Sequence, residues 1–168
     1  MDGIAKGCLS ALGYDFRNFT MSDFIAWVET LKGRQILTIP WKMPLGMFGA
    51  WISDGDGPYE YIFYRQDVTR IHQVHIQLHE LAHFLCGHPT LKITTSTLKD
   101  NLSSKGEALF LNPTLLRSHQ KTEYEVEAET LASRIQERVI HFSRLDELTH
   151  NISTDQKMAQ FIKTMGLI

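Results

Sequence analysis

The chain has 168 residues, 43% of them hydrophobic, 10% aromatic and 21% charged, a composition that fits one folded domain and excludes a collagen-like or disordered chain. The formal net charge of −2 gives no overall basic surface for nucleic acid, and no run approaches the ~20 apolar residues that a membrane span requires. Two cysteines, Cys8 and Cys86, are too few for a disulfide framework, and the N-terminus lacks an apolar signal core, so a cytoplasmic protein is expected.

In chain order, residues 3–13 suggest a short helix weakened by Gly7. A clearer helix spans about Met21–Lys32, with Thr20 as N-cap, Phe24, Trp27, Val28 and Leu31 at helical spacing, and Gly33 as its end. Gln35–Ile39 reads as a strand. Met47–Ser53 and Tyr59–Arg65 flank the turn-rich Asp54–Pro58 and predict an antiparallel hairpin. After Asp67 the apolar period lengthens: Ile71, Val74, Leu78, Leu81 and Leu85 mark an amphipathic helix ending near Gly87. The Ser-, Thr- and Lys-rich stretch over 89–120 predicts a long surface loop, with 108–111 as a candidate strand. A helix over about Thr122–Phe142 carries Ala128, Leu131, Ala132, Ile135 and Val139 on one face, and a last helix covers about 154–165. The expected fold class is α+β: a small, mostly antiparallel three-stranded sheet packed with two long helices in a single domain over 1–168.

Five of the eight histidines fall between His72 and His88. Within that cluster His79-Glu80-Leu81-Ala82-His83 is an HExxH sequence inside the periodic helix. Residues four apart share a helix face, so His79 and His83 can converge on one ion. Glu80, rotated by roughly 100°, flanks that ion and suits a general base. A third ligand at a histidine six residues after the motif is ruled out, because position 89 is Pro. The second long helix instead offers Glu123, Glu125, Glu127 and Glu129. Glu127 and Glu125 border its buried face from opposite sides, which leaves both as candidates, while Glu129 points farther away. Ala128 and Ala132 permit close approach to a neighbouring helix. Cys86 reads mainly as a small buried hydrophobe and secondarily as a ligand closing the zinc site. His72 and His75 are neighbours of the motif, and His88 is a helix-end residue. His119, His141, His150, Tyr61 and Tyr64 are unranked candidates for an oxyanion stabiliser. Tyr59–Arg65 is expected to form the cleft rim, with an edge open to an extended peptide.

HELAHFLCGH (His79–His88) followed by EVEAETLASRI (Glu125–Ile135) resembles the ImmA/IrrE family of zinc metallopeptidases over roughly residues 20–140. The departures are Ala82, Leu131 and Glu129 where Gly, Phe and Asn or Asp are common. The resemblance implies a zincin-like fold, zinc on His79, His83 and Glu127, and Glu80 as the catalytic glutamate. It further implies a metalloendopeptidase whose substrate is a separate helix-turn-helix repressor or antitoxin. Two rival readings are a zinc-stabilised module that binds a regulator without cutting it, and a toxin component of a toxin–antitoxin pair.

Overall fold

The computed structural model describes residues 13–103 and 122–154, with side chains in the second stretch described as far as Leu145. The elements suggested over 3–13, 108–111 and 154–165 therefore lie outside the described residues, save for their end residues Gly13 and Thr154. Helix α1 (Met21–Lys32) is followed by strands β1 (Gln35–Trp41), β2 (Gly49–Asp54) and β3 (Tyr59–Arg65). Helix α2 (Arg70–Cys86), strand β4 (Leu91–Ile93), helix α3 (Thr95–Ser103) and helix α4 (Thr122–Thr154) complete the order. The class is α+β, as expected.

The sheet departs from the expected mostly antiparallel three-stranded arrangement: it has four strands in the order β1-β3-β2-β4 and is mixed. The hairpin forms as anticipated, with Gly49 opposite Tyr64 and Ser53 opposite Glu60. β1, however, pairs parallel to β3, and β4 pairs parallel to Ile52–Asp54 of β2. The reason lies in the connection after β1. Met43 and Met47 are buried there, and the Arg65 guanidinium donates to the carbonyls of Pro44 (2.6 Å) and Met47 (2.7 Å). The chain thus returns across one sheet face and sets β1 on the far side of β3. Tyr59–Arg65 is consequently a central strand with neighbours on both sides, so it is no open rim.

Alternation along β3 feeds two cores. Ile62 joins Ile36, Phe24, Val28, Leu78, Leu81, Leu131 and Ile135 on the face covered by α1, α2 and α4. Tyr61 and Phe63 join Met43, Met47, Ile52 and Leu98 on the other face. Leu98 arrives on α3, which begins where Thr94 accepts from the Thr97 amide. Residues 91–103 are therefore ordered elements where a surface loop was expected. The apolar stripe of α2 is correct except for Ile71, which is 73% exposed in the first turn of the helix. Ala128 and Ala132 are fully buried, and their small side chains let α4 lie close against α2.

Candidate metal centre

Helix α2 starts at the Thr69 cap and ends at Gly87, whose φ of 70° is the left-handed conformation that glycine adopts without strain. The Gly87 amide bonds to the Phe84 carbonyl (3.2 Å) and the His88 amide to the His83 carbonyl (3.0 Å), the paired bonds of a Schellman ending. This turn folds His88 back over the last turn of the helix.

On the facing side of α4, the Glu125 carboxylate meets both motif histidines. His79 Nε2 and His83 Nε2 are 3.1 Å apart. Glu125 Oε2 is 3.3 Å from His79 Nε2, and Oε1 is 3.3 Å from His83 Nε2. Three donor atoms thus converge, two of them imidazole nitrogens turned toward each other. Glu127, the residue that the resemblance assigns to this position, points instead to His88 Nε2 at 3.2 Å. The structure therefore places Glu125 where the sequence reading placed Glu127. Both glutamates border the buried face, and the packing of α4 on α2 selects the one facing the histidines. Cys86 lies with His88 and Glu127, away from His79 and His83.

The residues fit a zinc ion on two grounds. Glu125 Oε1 is buried and has no hydrogen-bond partner. The His79 and His83 Nε2 atoms, 3.1 Å apart, are close to the edge of about 3.3 Å that follows from tetrahedral bonds of ~2.0 Å to nitrogen, and each has one Glu125 oxygen 3.3 Å away.

The surrounding hydrogen bonds leave the converging nitrogens unprotonated. Glu127 can only accept, so His88 donates through Nε2 and keeps a lone pair on Nδ1. His83 Nδ1, 2.9 Å from His88 Nδ1, must then donate, which leaves His83 Nε2 free to ligate. His79 Nδ1 likewise faces Glu129 at 3.2 Å, freeing its Nε2. Glu129, expected to point away, therefore orients His79, and it also lies 3.2 Å from His75 Nε2. His88, read as a helix-end residue, is only 7% exposed and stacks on Tyr124 with centroids 4.6 Å apart. The Gly-His pair that ends the helix was the sequence signal for this reach-back.

Charge follows the same geometry. The His79 and His83 imidazoles beside it lower the Glu125 pKa to about 2. Burial pulls His79 down, but Glu125, Glu80 and Glu129 outweigh it and raise its pKa. Burial lowers the His88 pKa against the pull of Glu127, which favours its neutral form. Glu80 is buried beside the histidines, and desolvation raises its pKa despite their opposing effect. Its carboxylate accepts from the Trp51 amide and lies against Gly49, where a Cβ would come within 2.5 Å of Glu80 Oε1 and 2.7 Å of Ile76 Cγ2.

Trp51 is itself anchored. Its indole donates to Glu60 (2.7 Å), which also accepts from Arg34 (2.8 Å) and Ser53 (3.0 Å) inside the sheet. A cleft of about 410 Å³ opens over these groups, bounded by Phe48, Gly49, Trp51, His72, Thr90, Glu125 and Glu129 among others. Neither Tyr61 nor Tyr64 borders it. His141 contacts Phe142 and does not line the cleft either, while His119 and His150 lie outside the residues whose side chains are described. Comparison with family models, with curated proteins and with solved structures finds no significant match to this chain. Among the described residues no helix is long and apolar enough to cross a membrane.

Proposed function

We propose that this chain is a zinc-dependent metalloendopeptidase of the ImmA/IrrE type, acting in the cytoplasm on a protein substrate. The observation that carries the reading is the buried Glu80 carboxylate beside three converging ligand atoms, since a purely structural metal site has no use for a free carboxylate there. His79, His83 and Glu125 would hold the ion, which when bound supplies Lewis-acid polarisation of the scissile carbonyl and acidifies a water.

The remaining chemistry belongs to the chain. Glu80 takes a proton from the attacking water and passes it to the leaving amine, a role suited to a carboxyl whose pKa burial has raised. The Trp51 amide fixes the orientation of that carboxylate. Glu129 and the His88–Glu127 pair hold the ligand imidazoles in the tautomers that expose Nε2. Beyond β2's pairing with β4 at Ile52–Asp54, the backbone of Gly49–Trp51 borders the cleft, and an extended peptide segment can lie alongside it.

A separate helix-turn-helix repressor or antitoxin is the substrate class that the family resemblance implies. The test is incubation of the zinc-loaded protein and of Glu80→Gln with such a regulator, with fragments read by mass spectrometry. Fragments from the wild type alone support the reading. Binding without fragments supports a non-catalytic interaction module, and the same fragments from both proteins remove Glu80 from the mechanism.

A further inference from the structure

We propose that Cys86, His88 and Glu127 form a second metal site, distinct from the first, that takes a thiophilic divalent ion such as zinc or cobalt. Their ligand atoms (Sγ, an imidazole nitrogen and a carboxylate oxygen) all lie within 4.8 Å of one another. His88 Nε2 and Glu127 Oε2 are already 3.2 Å apart, close to the spacing of two ligands on one zinc. The two sets share no ligand atom and meet at one hydrogen bond, between His88 Nδ1 and His83 Nδ1 at 2.9 Å.

The local fold prepares the set. Cys86 is the last residue of α2, where the helix end favours a cation. The turn at Gly87 brings His88 back, and its ring is held on Tyr124. Glu127 comes from α4, two residues beyond Glu125, so the packing that builds the first site also brings the second together. Thiolate, imidazole and carboxylate are a donor set that suits zinc and cobalt.

Ligation requires the Cys86 thiol to release its proton to solvent. His88 must free Nε2, which moves its remaining proton to Nδ1, facing His83 at 2.9 Å. His83 then has to accept there, and its own proton shifts toward the Nε2 that serves the first site. The two sites draw on one proton, so the second is the weaker while the first is filled.

Cobalt(II) distinguishes them, because only a thiolate ligand gives a sulfur-to-cobalt charge-transfer band in the near ultraviolet. Cys8→Ser is the background, leaving Cys86 as the sole thiol, and a non-thiol reductant keeps it reduced. In that background, cobalt in excess of the first equivalent is expected to raise the band. Adding His79→Ala, which breaks the first site, is expected to bring the band in with the first equivalent. Cys86→Ser should abolish it while leaving the nitrogen- and oxygen-ligated cobalt spectrum of the first site. Glu127→Gln should weaken cobalt binding at the second site by more than the roughly 10- to 100-fold of a lost outer hydrogen bond, because a ligand is lost. Absence of the band both in the Cys8→Ser protein and with His79→Ala added, each confirmed folded by circular dichroism, overturns the proposal. So does a band that survives Cys86→Ser. None of these readings depends on peptidase activity, so failure here leaves the proposed function standing, and the converse holds.

Discussion

Glu125 Oε1 is a buried carboxylate oxygen 3.3 Å from His83 Nε2 that accepts no hydrogen bond. A buried anionic oxygen left in that state is costly unless a cation completes it. Glu125 is therefore assigned as third ligand, and Glu127 as the acceptor that orients His88. Competitive chelator titrations should rank the two. Glu127→Gln is expected to weaken zinc binding by about 10- to 100-fold, as loss of an outer hydrogen bond does. Glu125→Ala should weaken it further, because a ligand is lost. The reverse ranking would return Glu127 to the ion.

Gly49→Ala tests the seat of the Glu80 carboxylate. The added methyl meets Glu80 Oε1 and the stiff, branched Ile76, so Glu80 must swing away from the Trp51 amide. Zinc content should be unchanged while kcat/KM falls by about 100-fold, the scale of a misplacement near 1 Å. Unaltered turnover would show that this contact does not set the position of Glu80.

Much of this was legible from the residues, and the part that was not has a common cause. The HExxH spacing, the caps at Thr20 and Gly33 and the β2–β3 hairpin are local features, decided within a turn or a strand of sequence. The choice between Glu125 and Glu127 depends on how α4 is rotated against α2, which Ala128, Leu131 and Ala132 set by packing. β1 finds β3 rather than β2 because Met43 and Met47 are drawn into a core on one sheet face, a long-range event that no short window contains. Glu80's contacts with Gly49 and Trp51 cross from helix to sheet and leave no local pattern. His88 was the nearest miss, since Gly87 announced the turn but not what the returning ring would touch.

The close approach of α4 gives a stability prediction tied to the site. Ala128 is fully buried in the core shared with α2. Ala128→Leu should cost about 1–3 kcal/mol through overpacking, measured by denaturant unfolding of the zinc-free protein. Zinc affinity should fall with it, as Glu125 moves away from the histidines. A variant that loses stability but keeps full zinc affinity would uncouple the packing from the ligand.

The pH dependence of the metal-free protein follows from two opposed shifts. Glu125, lowered from 4.5 to about 2 by His79 and His83, contributes stability that is present above pH 4.5 and lost as pH falls toward 2. His79, raised above 6.5, contributes stability that is present below 6.5 and lost as pH rises through its folded value. In chelator, the Tm difference between wild type and Glu125→Gln is expected to be largest between pH 4.5 and 6.5 and to shrink on either side. A difference that does not vary with pH would mean that the pair contributes nothing.

The most direct measurement compares the wild type with Glu80→Gln, both loaded with zinc, on a mixture of unstructured peptides, with cleavage rates read by mass spectrometry. The two should bind zinc alike, and the wild type should cleave at least ~100-fold faster, the lower range for loss of a general base. Equal cleavage by both proteins, at equal zinc content, would contradict the assignment of Glu80 as the base that works beside His79, His83 and Glu125.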